Sequence, residues 1–164
     1  MSAGDALGAA ADERTLLAGF LDWYRGVVVH KIEDLSTAEA SNVMTPTGLS
    51  PLGVVAHLAA VEVGWFWETY AGEPVDPRWE AHASFRLTST DTTRSVVEEY
   101  RHACDQSRTI VEAAPSLDAR AAAPHHFWGH VSLRWLLVHM IEETARHAGH
   151  LDIMRETIDG RTGD

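Results

Sequence analysis

Four long stretches carry apolar side chains at intervals of three and four, and no stretch of any length alternates apolar with polar residues. That period belongs to helices packed on one face, and it leaves no material for a sheet. The first stretch runs from Asp12 to Leu35, with Leu16, Leu17, Phe20, Leu21, Tyr24, Val27, Val28 and Ile32 in register. The second opens at Ser50-Pro51, a capping serine followed by a proline whose missing N–H costs nothing at the first helical position. It continues to about Tyr70, where Ala71-Gly72 and then Pro74 stop it. The third opens at Ser89-Thr90-Asp91 and runs to about Ala114, before Pro115. Its apolar positions are sparser, which predicts a more exposed helix. The fourth is capped by Ser132 and ends near Ile158, with Gly160 as its stop. These elements predict an all-α four-helix bundle. The long connections over 73–90 and 115–130 argue against a simple up-down-up-down order.

The chain has 164 residues and a mass of 18.0 kDa, a size for one domain, expected over residues 12–160 behind a flexible N-terminus, residues 1–11. A formal net charge of -11 excludes a phosphate backbone or an anionic membrane as partner. No apolar run approaches the roughly 20 residues that span a bilayer. No basic segment followed by an apolar one opens the chain, so a cytoplasmic protein is expected. The single cysteine, Cys104, excludes an internal disulfide and reads as a buried small hydrophobe. Every basic residue but Lys31 is arginine, a bias that points to a GC-rich coding genome.

The 10 histidines direct attention to the fourth helix. At about 100° per residue, His139, Glu143, His147 and His150 fall within an arc of roughly 80°. This polar stripe borders an apolar one of Leu133, Leu137, Met140, Ile141, Ala148 and Leu151. Unpaired polar groups beside a core are expensive, so the stripe is either hydrogen-bonded or holds a divalent metal. Glu143 and His147, spaced i, i+4, reach one ion. His57 stands in the second helix among Leu52, Val54, Val55, Leu58, Val61 and Trp65, and a second helix offering a half-site is what a metal needs. A His/His/Glu set with open positions describes a catalytic zinc or a related divalent ion. His150 fits three roles: a fourth ligand, a partner orienting a ligand, or a base near the open position.

Gly53-Val-Val-Ala-His57-Leu in the second helix, followed far downstream by Glu143-x-x-x-His147, resembles the DinB-like superfamily. That group includes the YfiT-type metal-dependent proteins and the mycothiol-dependent maleylpyruvate isomerases. The run from Ser132 to Asp152 is similar to an actinobacterial branch of it. The resemblance spans roughly Thr15 to Glu156. It implies a bundle in up-down-down-up order with a divalent metal, zinc first and nickel second, held by His57, Glu143 and His147. It also implies activation of a low-molecular-weight thiol, mycothiol in an actinobacterial cell, for transfer to a small electrophile by a transferase or isomerase. In that scheme His150 or His139 takes the thiol proton, and Arg134 or Arg78 holds a carboxylate. The chain departs from the pattern in placing His139 and His150 on the same stripe. It also lacks the isomerases' separate C-terminal domain, so their particular substrate is not implied.

Two other readings stand beside this one: a bundle whose metal is structural, serving stress response or interaction, and a hydrolase whose open site activates water. Trp65, Phe66, Trp67, Trp79 and Trp128 are expected to pack the bundle ends, with a pocket wall as the alternative. His125-His126-Phe127-Trp128-Gly129-His130 is expected to be a mobile loop rather than a second metal tract. Val138 and Ile153 on the polar side of the fourth helix admit a homodimer seam.

Overall fold

The computed structural model describes residues 11–163, so the expectation of a flexible 1–11 segment lies, except for Ala11, outside the described residues. The chain is mainly helical, and among the described residues no strand forms, only two isolated bridges. The helices are α1 (Glu13–Ile32), α2 (Thr37–Ala40), α3 (Pro51–Glu62), α4 (Trp79–Ala83), α5 (Thr93–Ala113) and α6 (Leu133–Asp159). A π-helical segment, Val63–Tyr70, continues α3 without a break. No described helix is long and apolar enough to cross a membrane.

The caps follow the local chemistry. The side chains of Asp12, Ser50 and Ser132 accept hydrogen bonds from backbone N–H groups in the first turns of α1, α3 and α6. Gly160 closes α6 in the left-handed region at φ 77°. The start of α5 departs from the expected Ser89-Thr90-Asp91, because the Asp91 carboxylate accepts from the backbone N–H and hydroxyl of Thr88. It is consumed in that turn, and Thr92 with Ser95 forms the capping box instead. The expected exposure of this helix is also corrected: α5 buries Thr93, Val96, Val97, Tyr100, Ala103, Cys104, Ser107 and Val111. Alanine, serine and threonine fill this face where close approach leaves no room for larger groups, so counting apolar residues understated its burial.

The first helix lies along α6, α3 lies along α5, and α3 also meets α6. One core cluster joins Val28 and Ile32 of α1, Leu52 and Val55 of α3, Val96 and Tyr100 of α5, and Leu151 of α6. The other joins Leu21 of α1, Phe66 of the π segment, Val111 of α5, and Leu133, Leu137 and Met140 of α6. Between these helices runs a buried ion pair. The Arg25 guanidinium donates through Nε and Nη2 to the two carboxylate oxygens of Glu62 at 2.7 and 2.6 Å. Cys104 is buried beside it, and that burial together with the Glu62 charge pushes its thiol pKa up, which makes it a structural residue as expected.

A fork-to-fork pair out of water is costly to break from one side. Glu62→Leu is expected to lower unfolding free energy in urea by about 3–5 kcal/mol, because Arg25 is left buried without its main counter-charge. The double variant Arg25→Met/Glu62→Leu is expected to recover most of that loss. Equal destabilisation of the single and double variants would show that packing, not charge, sets the cost.

Candidate metal centre

The α3 helix supplies His57 and α6 supplies Glu143, His147 and His150, so the site lies on the seam where these two helices meet. Both Glu143 and His147 occur one turn apart on the same face, which is why a single carboxylate reaches both imidazoles. Glu143 Oε1 lies 3.3 Å from His57 Nε2 and 3.3 Å from His147 Nε2. Among the described residues, this is the group of three that brings its ligand atoms within 4.8 Å of one another. Two ligands held about 2.0–2.2 Å from a tetrahedral zinc are themselves separated by about 3.3–3.5 Å, so the spacing suits such an ion.

The donor chemistry is stricter than the spacing. His57 Nδ1 lies 2.9 Å from the carbonyl oxygen of Ala83, which only accepts, so Nδ1 carries the proton. In the neutral ring, Nε2 is then a bare lone pair aimed at a carboxylate. His147 turns Nε2 to the same oxygen and shares its Nδ1 with Nδ1 of His150 at 3.2 Å. Contacts with His147 first, then His57, hold the Glu143 carboxyl far below the usual carboxylate range, against burial that pushes it up. The bare His57 Nε2 beside an ionised carboxylate leaves two acceptors facing, which a cation between them satisfies, and the set His57, Glu143 and His147 fits a divalent metal.

The three residues open on a cavity of about 640 Å³, lined also by Gly48, Phe85, Arg86, Arg146 and His150. Burial and the neighbouring His147 lower the pKa of His150, which favours its neutral form. Arg146 is paired with Glu142 and lies 3.4 Å from Glu143 Oε2. Arg86 has no acidic partner among the described residues.

A family model for mycothiol-S-transferase matches residues 16–160. The chain belongs to the mycothiol-S-transferase family. No curated protein matches it. In this mycothiol-S-transferase family member, the structure brings together four of the side chains singled out by the sequence, and it separates others. His139 does not reach the triad. Its ring stacks on Trp135 at 5.2 Å and meets Trp65 edge-on at 4.7 Å, because the π segment presents an indole at that level of the seam. Arg134 pairs with Glu13 and Asp118, and Arg78 lies near Asp76 and Glu99 and over the Trp79 ring, so neither arginine faces the cavity. Trp65 packs against His125, Trp135 and His139, and Trp67 and Trp79 line a separate cavity of about 190 Å³, so the tryptophans wall other parts of the molecule.

The tract from His125 to His130 is not among the described three-ligand groups. It closes on itself through reciprocal backbone bonds between His125 and Gly129 at 2.9 and 2.8 Å, with Gly129 at φ 64°. His125 is stacked on Trp65 at 4.7 Å, while His126, Phe127, Trp128 and His130 are exposed as expected of a loop. The cavity's third wall, Phe85 and Arg86, was missed, since a connection of this kind has no period to read. A signal was available in Phe85-Arg86 as an aromatic and a cation in a segment bounded by His82 and Asp91.

That segment is anchored by Asp91, whose carboxylate also meets His82 Nε2 at 3.0 Å. Burial raises the Asp91 pKa, but the bonds from Thr88 and His82 outweigh it, and the carboxyl lies below its ordinary value. A carboxyl depressed in the folded state contributes stability that is fully present above its unfolded pKa of about 3.9 and is lost as pH falls through the folded value. Asp91→Asn is expected to cost about 1–2 kcal/mol in urea unfolding at pH 7. The gap to wild type closes below about pH 4. A gap that stays constant down to pH 2 would assign the cost to shape rather than charge.

Proposed function

We propose that this protein is a metal-dependent S-transferase that couples a low-molecular-weight thiol to a small electrophile on the α3–α6 seam. One observation carries the reading: two imidazoles and a carboxylate bring their ligand atoms within 4.8 Å of one another at the wall of an open cavity. Membership of the mycothiol-S-transferase family supports mycothiol as the thiol. Zinc is the metal most in keeping with two nitrogen donors and one carboxylate oxygen, with nickel the next candidate. A divalent ion with an open position supplies Lewis acidity that lowers the pKa of a thiol brought to it.

The chain's own residues do the rest. His57, Glu143 and His147 would hold the ion at the wall of the cavity. His150, adjacent and with its neutral form favoured, takes the thiol proton. The thiolate sulfur then bonds to the electrophilic carbon as the leaving group departs. Arg86, rather than Arg134 or Arg78, holds an anionic group of the electrophile, because its charge is left unneutralised on the cavity wall. The proposed scaffold is a single bundle domain in up-down-down-up order. Its support is the order of the core residues: α1 and α6 enter the Phe66 cluster first, whereas α3 and α5 start in the Tyr100 cluster.

Elemental analysis of the purified, untagged protein is expected to give about one divalent ion per chain, lost in His57→Ala and in His147→Ala. Glu143→Gln is expected to weaken binding and change metal selectivity. Retention of the metal at wild-type affinity in both histidine variants would place the ion elsewhere. With a thiol and an anionic electrophile as substrates, Arg86→Gln is expected to raise KM for the electrophile about 10- to 100-fold, the worth of a charge-assisted hydrogen bond. KM for a neutral electrophile should not move. Equal effects on both substrates would remove Arg86 from recognition.

A further inference from the structure

The turn after α4 touches His57 twice. Ala83 offers its carbonyl oxygen to His57 Nδ1 at 2.9 Å, and the Phe85 ring stacks on the imidazole with centroids 3.9 Å apart and planes 17° apart. Two side-on restraints on one imidazole fix both its tautomer and its rotation. The backbone supplying them is itself held in an unusual form. Phe85 has φ 60°, a left-handed conformation that a bulky residue adopts only when its surroundings impose it. The neighbour that makes room for it is Gly53, one turn before His57 on the same face of α3. A Cβ on Gly53 would lie 2.8 Å from the Phe85 carbonyl oxygen, too close to be accommodated without moving backbone. The turn is closed by the Phe85 N–H donating to the His82 carbonyl at 2.9 Å, and His82 is tied to Asp91. Nothing in α3 alone requires any of this. A helix needs no glycine at position 53, and a core needs no phenylalanine in the left-handed region.

We propose that Phe85 and Gly53 are positioning residues for His57: the turn from His82 to Phe85, seated on the bare backbone of Gly53, clamps the imidazole so that its Nε2 lone pair is delivered to the Glu143–His147 pair. This rests on the reading of His57 as a metal ligand. The role resembles that of outer partners which orient a ligand before the ion arrives, and loss of such partners typically costs 10- to 100-fold in metal affinity. The clamp is local, so its loss acts on the imidazole before it acts on the fold.

The test uses two variants of the full chain. Gly53→Ala pushes the Phe85 carbonyl away, and Phe85→Leu keeps apolar bulk while removing the flat stacking surface. In the metal-free protein, long-range ¹⁵N–¹H correlation of the imidazoles is expected to show His57 wholly as the Nδ1–H tautomer in wild type and as a mixture in Gly53→Ala. Titration with zinc is expected to show about 10- to 100-fold weaker binding in both variants, with a cooperative thermal transition retained. If Gly53→Ala does not fold, Phe85→Leu carries the affinity comparison alone. An unchanged tautomer in Gly53→Ala, or zinc affinity within about twofold of wild type in Phe85→Leu, overturns the clamp. Unchanged affinity there, alongside lost metal in His57→Ala, would remove the clamp and keep the metal centre. No zinc binding in wild type, with the tautomer still disturbed in Gly53→Ala, would remove the metal centre and leave the clamp as a restraint on the imidazole alone.

Discussion

The Arg25–Glu62 ion pair sets the register on which the site depends. The helices associate as two pairs, α1 with α6 and α3 with α5, and the site needs residues from both pairs. His57 stands on α3, while Glu143 and His147 stand on α6. A bidentate bond between α1 and the end of α3 permits little sliding, because two parallel hydrogen bonds from Nε and Nη2 must both keep their distance and direction. Apolar contacts are non-directional and tolerate a shift that this bond does not. It also lies where α3 passes into the π segment, the wider winding that carries Trp65 to the seam.

At the seam, the governing constraint is the pairing of acceptors. Helix α6 can carry a glutamate and a histidine one turn apart at no cost while they face water. Brought against α3 they face another lone pair, and the arrangement calls for a cation. The surroundings match that demand. Phe85 shields one face of His57, His150 stands beside His147, and Arg86 brings positive charge to the opening of a chain that is strongly acidic overall. Arg86, which has no acidic partner among the described residues, lines the same cavity as the His57, Glu143 and His147 cluster, so acceptors lie inside and a cationic donor at the edge.

Much of this was legible in the sequence because helices repeat. The i, i+4 spacing of Glu143 and His147, the cap at Ser50-Pro51 and the Gly160 stop are local facts that survive into the fold. The reach of His139 was misjudged on the same grounds. It shares the stripe with Glu143, but a stripe says only which way a side chain points, and the element opposite it is an indole rather than a ligand. The arginines were misassigned for the complementary reason. Ion pairing with residues far along the chain, such as Glu13 for Arg134, is invisible to periodicity.

By itself, then, the sequence determined an all-α chain, the caps of three of its long helices, the buried Cys104 and three side chains able to converge on one ion. These follow from backbone geometry that each segment carries with it. Only the tertiary structure decided which histidines meet, that a left-handed turn at Phe85 seats against Gly53, and that Arg86 rather than Arg134 or Arg78 faces the cavity. Those outcomes depend on the distance between segments that are remote in the chain, and no local pattern encodes a distance that packing alone creates.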